Sequence, residues 1–167
     1  LASILAGWDT LHGGRSTSLL EEHVVRRIRQ WRPQVVVTQG ASPSGQEPLG
    51  HLIQQIVLSA VRQAADPAAY REQLAVAGLP AWKVRKVLAA SRAGEADTLT
   101  LETTRLATRL GSSLADYASA ARGLVARQWR ATPASVGYRL LMSDVPAIVG
   151  PQDFFAGLSV PAGGPAR

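Results

Sequence analysis

The stretch EEHVVRRIRQWRPQVVVTQG, from Glu21 to Gly40, decides the fold. Leu20, Val24, Ile28 and Trp31 recur at helical spacing across its first half and make one apolar stripe. Just ahead of it, Ser18 followed by Glu21 is a capping-box pattern, in which the two side chains satisfy free backbone N–H groups at a helix start. Pro33 stops that helix, because proline has no N–H to donate and disfavours helix in the residue before it. Val35, Val36 and Val37 then run together without alternation, which predicts a central strand of a parallel sheet, buried on both faces. Trp31 is expected where the helix meets Pro33, with its ring against that sheet. From Gln39 to Pro48 the chain is rich in Gly, Ser and Pro and reads as a loop.

Working outward, a second helix is predicted from about Leu49 to Ala65, with Ile53, Ile56, Val57, Ala60, Val61 and Ala64 on its inner face and Asp66-Pro67 ending it. A loop containing Gly78, Pro80 and Trp82 introduces a strand at Val84 to Ala90. Asp97 to Leu101 alternates weakly as another strand. Ser112 or Ser113 caps a third helix, with Leu114, Tyr117, Ala118, Ala121 and Val125 on its apolar side. Tyr138 to Met142 fits a strand or a helix end. Helix, buried strand, loop, helix, strand is the order of an α/β domain with a largely parallel sheet. Ligands of such sheets sit beyond the carboxyl ends of the strands, so the loop after Val37 is where chemistry is expected. Residues 1–158 read as one domain, and the Pro/Gly-rich stretch 159–167 as a flexible tail.

The chain has 167 residues, 46% hydrophobic and 18% charged, which fits one globular domain with a substantial core. No apolar run approaches the roughly 18 residues of a membrane span. The absence of cysteine excludes thiolate metal sites, disulfides and a Cys nucleophile, and leaves the redox compartment open. A net charge of +6 raises the question of nucleic acid. The charge is spread, however, and its densest cluster, Arg26, Arg27, Arg29 and Arg32, belongs to an amphipathic helix whose outer face must be polar. A solvated arginine-rich surface is the expectation, rather than nucleic-acid binding.

The histidines are His12, in a turn before Gly13-Gly14, His23, on the first helix, and His51, in the first turn of the second. None pairs at HxH or HxxxH spacing, whereas zinc sites take three or four N, O or S ligands. Glycine-rich phosphate loops and a GxSxG nucleophile turn are absent, although Ser42 and Ser44 lie in the strand-end loop. Glu21-Glu22 read as helix-start carboxylates, and the four tryptophans as core and loop anchors.

Several pieces carry a family resemblance: RRIRQWRPQVVVTQG at 26–40, IVLSAVRQAADPAAYREQ at 56–73 and AGLPAWKVRKVL at 77–88. RLGSSLADYASAARGLVARQW at 109–129 and YRLLMSDVPAIVGPQDFFAGL at 138–158 extend it. In order and spacing these pieces resemble the PIG-L (LmbE-like) deacetylases, with patterns such as IRxxRPDVVxTH, a GHPDH loop, a helix ending AADP and GLPPWxxK. The resemblance runs from about Glu21 to Leu158. It implies a Rossmann-like three-layer αβα domain, and a zinc-dependent hydrolase that removes acetyl groups from N-acetylglucosamine conjugates. In that family a His and an Asp of an upstream HPDD loop and the final His of HPDH hold zinc. The last Asp of HPDD is the general base, and the first His of HPDH supports the tetrahedral intermediate.

This chain departs from that pattern at the chemistry. HPDD is absent, and the expectation is that the first strand and its motif lie upstream of Leu1 or have been lost. Ungapped matching back from Asp66 sets GHPDH on Gln46, Glu47, Pro48, Leu49 and Gly50, where only the proline agrees. Glu47 then stands at the transition-state His, Leu49 at the Asp and Gly50 at the zinc His; Gln39 replaces a further usual His. A one-residue slip would bring His51 onto the zinc position, but one inserted residue turns the following helix by about 100°. No catalytic residue, metal ligand or cofactor is therefore assigned; Glu47 and His51 remain the candidates, and zinc the cofactor of the family resembled. Three functions are compatible with these residues. One is a catalytically degenerate homologue that binds a glycan or a partner through the old cleft. Another is an active N-deacetylase of N-acetylglucosamine conjugates, completed by an upstream HPDD. The third is a structural domain whose basic surface meets an acidic partner.

Overall fold

The structure, a computed structural model, describes residues 1–40, 48–91, 97–125, 131–146 and 153–159. Its elements are α1 (Ala2–His12), α2 (Ser16–Trp31), β1 (Val35–Thr38), α3 (Pro48–Ala65), α4 (Arg71–Ala75) and β2 (Lys86–Ala90), then β3 (Leu99–Glu102), β4 (Leu106–Ala107), β5 (Ser112–Ser113), α5 (Leu114–Val125) and β6 (Ser135–Ser143). The chain divides into two compact units, Leu1–Ala89 with Leu140–Arg167, and Ala90–Arg139. The stretch expected as a tail lies, from residue 160 onward, outside the described residues.

In the first unit β1 and β2 pair in parallel, from Val35 opposite Lys86 to Thr38 opposite Ala89. The chain leaves β1, returns along α3 and reaches β2, the parallel crossover expected from the VVV run and the helix after it. Val25 and Ile28 of α2, Ala60, Val61 and Ala64 of α3, and Val84 and Val87 form the buried core, with Val36 packed against it. The predicted α3 and the strand before Ala90 are present almost as read. The expected central position of β1 is corrected. Among the described residues β1 has a strand neighbour on one side only, and Val37 is 50% exposed. The branched run therefore marks one covered face, that of Val36, rather than two.

The sheet is also less parallel than expected. β2's other neighbour is β6. Backbone bonds from Asp144 N–H to Arg85 O and from Ser91 N–H to Gly137 O run in opposite chain directions, so that pairing is antiparallel. In the second unit β3 pairs antiparallel with β6, from Leu99 opposite Tyr138 to Glu102 opposite Ser135. The alternation of half-buried Leu99 and Leu101 with exposed Thr100 and Glu102 is that of an antiparallel strand with one wet face. The fold is mixed α/β, with one parallel pair in an otherwise antiparallel arrangement. α5 starts as read: Ser113 Oγ accepts the Asp116 N–H at 3.1 Å and donates to Asp116 Oδ2 at 2.6 Å.

Three expectations about α2 are corrected. The helix begins at Ser16, and the Ser18 hydroxyl donates to Arg15 O instead of capping. The start is held from outside: Asp9 of α1 accepts from the Ser16 N–H and hydroxyl, at 3.2 and 2.5 Å. These bonds, the hydroxyl first, hold the Asp9 carboxyl below its ordinary pKa. The buried face is also rotated, running through Val25, Ile28 and Arg29. Trp31 consequently lies 72% exposed, with the Arg27 guanidinium 5.7 Å from its ring centre. Trp82 takes the anchoring place at Pro33, its indole N–H donating to Pro33 O at 2.8 Å.

Arg29, expected on the solvated face, has no exposed surface. It donates six hydrogen bonds, to the carbonyls of Ala64, Tyr70, Gln63, Asp66 and Ala69 and to Gln73 Oε1. The last carbonyls of a helix have no partner within it, and a cation there also meets the negative end of the helix dipole. Arg29 supplies both functions to α3. Desolvation lowers its pKa, while Asp66 and Tyr70 oppose that shift.

Candidate functional site

β1 ends at Thr38, and the chain re-enters the described structure at Pro48, the first residue of α3. Proline suits that position, since a first-turn N–H has no partner inside the helix. Residues 41–47, and with them Ser42, Ser44, Gln46 and the candidate Glu47, lie outside the described residues. Two sides of the site remain: Thr38 to Gly40 on the strand, and Pro48 to Gln54 on the helix.

Gln54 joins them. Its buried side-chain amide donates to Gln39 O at 3.1 Å and fixes the first turns of α3 against the strand exit. The sequence reading missed this residue. Its only signal is position, since Gln54 follows Gly50 by four residues on the row that continues to Val57 and Val61.

Two polar atoms near this bond in sequence have no hydrogen-bond partner among the described residues. Thr38 Oγ1, next to Gln39, and His51 Nδ1, three residues before Gln54, are both buried and unpaired. Leaving such an atom unsatisfied costs about 1–3 kcal/mol, so native structures rarely do so without a reason. One of the two is a strand-end hydroxyl and the other a ring nitrogen of the first turn of α3, both desolvated and uncommitted among the described residues. Thr38 was not singled out from sequence, although it is the polar residue that closes the VVV run.

The zinc set implied by the family resemblance does not fit these residues. In the ungapped frame Leu49 and Gly50 hold the positions of the Asp and His, and neither carries a donor atom; Gly50 is moreover buried. The slipped frame supplies a single nitrogen, from His51. Among the described residues no three of His, Cys, Asp and Glu gather as a metal would require. The other histidines are placed elsewhere. His12 and His23 line an apolar cavity of about 320 Å³ with Trp8, Ser16, Leu19 and Leu20, all on α1 and α2. His23 Nε2 accepts a long bond from Arg27 Nε at 3.5 Å.

No helix of the described residues is long and apolar enough to cross a membrane. Comparison of the chain with models of protein families, with curated proteins and with solved structures yields no match.

Proposed function

We propose that the chain is a PIG-L-like (LmbE-like) domain whose strand-end loop has lost the hydrolytic zinc site and binds an N-acetylglucosamine conjugate without cleaving it. The observation that carries this reading is that Thr38 Oγ1, at the carboxyl end of β1, and His51 Nδ1, in the first turn of α3, are both buried and without a partner among the described residues. A sugar offers hydroxyls and an acetamide that can both donate and accept, which is what these two atoms lack. Cleavage would need a water activated by a metal held by about three ligands, and Leu49 and Gly50 have no atoms to contribute.

The family part of the proposal is supported by how the resembling pieces meet. Arg29 of the IRxxRP piece bonds the carbonyls of Ala64 and Asp66 in the AADP piece. Trp82 of the AGLPAW piece bonds Pro33 O of the first. The parallel β1–α3–β2 unit, with α2 and α3 packed together, is the kernel that a Rossmann-like three-layer domain would extend.

The test is a titration with N-acetylglucosaminyl-inositol, read on the amide of Thr38 and the ring nitrogens of His51. Saturable one-to-one shifts are expected, weakened by about tenfold in His51→Phe, a loss typical of one desolvated hydrogen bond. The absence of any saturable shift would remove the reading.

A second reading is favoured by the same His51 nitrogen, because an unpartnered imidazole nitrogen is also what a metal takes. In that reading the chain is a zinc-dependent deacetylase with His51 as a ligand. Tight one-to-one zinc binding that disappears in His51→Ala would establish it and overturn the first.

A further inference from the structure

We propose that a second binding site, at the amino ends of β1 and β2, takes a small organic anion, with its acidic group on Arg85 and Lys83 and its apolar body on Trp82 and Leu158. This inference is independent of the family reading, which concerns the opposite ends of the same strands. Its basis is a cavity of about 370 Å³ whose lining includes Gln34, Trp82, Lys83, Arg85, Leu158 and Ser159. That volume is at the small end of ligand pockets, which run from about 300 to 1,000 Å³.

The walls are fixed in advance. The indole N–H of Trp82 is held by Pro33 O and its backbone N–H by Ala64 O, each at 2.8 Å. The backbone N–H groups of Arg85 and Lys86 both donate to Gln34 O, at 2.9 and 3.1 Å. On the far side, the buried ammonium of Lys86 donates to Ala156 O and tethers the turn that leads into Leu158 and Ser159. Gly157 makes that turn with a φ of +77°, a conformation glycine adopts without strain. A site ordered before its ligand arrives spends little binding energy on ordering itself.

The charges are fixed and unbalanced. Asp144 lies between two cations, 2.8 Å from Lys83 Nζ and 3.2 Å from Arg85 Nη1. Its own backbone N–H donates to Arg85 O at 2.8 Å, which pins the carboxylate in place. One carboxylate cannot neutralise both cations, and it uses a single nitrogen of Arg85. The other guanidinium donors have no bond among the described residues, which leaves a planar fork suited to a carboxylate or a phosphate. Lys86, one residue on, is a third cation, and its bond is to a neutral carbonyl. The indole ring and Leu158 supply an apolar wall beside this charge, so an anion with a ring or short alkyl body suits the cavity better than a bare ion.

The experiment titrates the whole chain with phenyl phosphate, inorganic phosphate and phenol, following the indole N–H resonance of Trp82. Phenyl phosphate is expected to saturate that shift one-to-one, with inorganic phosphate weaker by about tenfold and phenol silent up to about 10 mM. Arg85→Gln and Lys83→Gln should each weaken phenyl phosphate by about tenfold, the effect of losing one charged hydrogen bond. Lys83 is mostly exposed, so Lys83→Gln carries the test if Arg85→Gln proves unstable. His51→Phe, at the other end of the strands, should bind phenyl phosphate as the parent does. Failure of phenyl phosphate to saturate the Trp82 shift, or equal affinity in Lys83→Gln and the parent, would overturn the proposal. Equal affinity for inorganic and phenyl phosphate would overturn the apolar wall.

Discussion

The guanidinium of Arg29, a residue with no exposed surface, meets the backbone carbonyl of the exposed Asp66 at 2.9 Å. One side chain on α2 thereby closes the end of α3 and the turn that follows it. Tyr70, whose carbonyl Arg29 also holds, has a positive φ of 47°, an unfavourable conformation for a bulky residue. The same Tyr70 donates its hydroxyl to Glu21 Oε1 at 3.3 Å, so the turn is tied to α2 at two points.

Removing Arg29 is predicted to be the most damaging single change in this unit. Arg29→Met removes one donor from each of five carbonyls and from Gln73, although the carbonyls of Gln63, Ala64, Asp66 and Tyr70 keep a backbone N–H, and should lower the unfolding free energy by about 3 kcal/mol, as when one partner of a buried pair is removed. Arg29→Lys keeps the charge but loses the fork, and should fall between. Urea unfolding of the three proteins measures this; a loss for Arg29→Met below about 1 kcal/mol would contradict the role given to the bonds.

The two tryptophans near Pro33 are predicted to differ in importance. Trp82→Ala removes a packed ring and its bond to Pro33 O, and should cost about 3 kcal/mol. Trp31→Ala removes only an exposed ring with Arg27 over it, and should cost less than about 1 kcal/mol. Thermal melts of both variants decide this, and equal losses would mean that the anchor has been misidentified.

Much of the fold was legible where the signals are local. Ser113 caps α5 as read, and α3 spans nearly the residues its apolar row marks. The reading of α2 failed because Arg29 finds its partners 34 to 44 residues further along the chain. Charge alone put it outside; only the third dimension supplies the carbonyls that let it go inside. The Trp31 stripe failed with it, since a face that includes Arg29 turns Trp31 toward water. β1 illustrates a second limit: a branched run reports that a strand is buried, but not on how many sides. At the candidate site, His51 was visible by its place in the first turn of α3. Thr38 and Gln54 were not, because an uncommitted hydroxyl and a bonded amide look alike in a sequence.

Acid should weaken the chain through Asp144 and Asp9. The Lys83 bond, chiefly, and the charges of Lys83 and Arg85 hold the Asp144 carboxyl below its ordinary range, against a smaller opposing effect of desolvation. Asp9 is lowered chiefly by the Ser16 hydroxyl. A carboxylate whose folded pKa is depressed contributes stability above its unfolded value of about 3.9 and loses it as pH falls through the folded value. Melting temperatures measured from about pH 6 down to about pH 2 should fall most steeply below pH 4, and less steeply in Asp144→Asn. An unchanged acid limb in that variant would contradict the ion pairs.

Thr38→Val separates a binding role from a structural one. The replacement removes a buried hydroxyl that has no partner, so the free protein should become more stable by about 1 kcal/mol. The same change should weaken the proposed sugar ligand. A loss of stability would show that the hydroxyl is committed within the fold.

The most direct test of the account is a calorimetric titration of the whole chain with N-acetylglucosaminyl-inositol in the presence of zinc, with acetate measured in the same samples. The account predicts one-to-one binding that weakens in Thr38→Val and His51→Phe, with no acetate released. Acetate released in proportion to the zinc bound, and lost in His51→Ala, would contradict it.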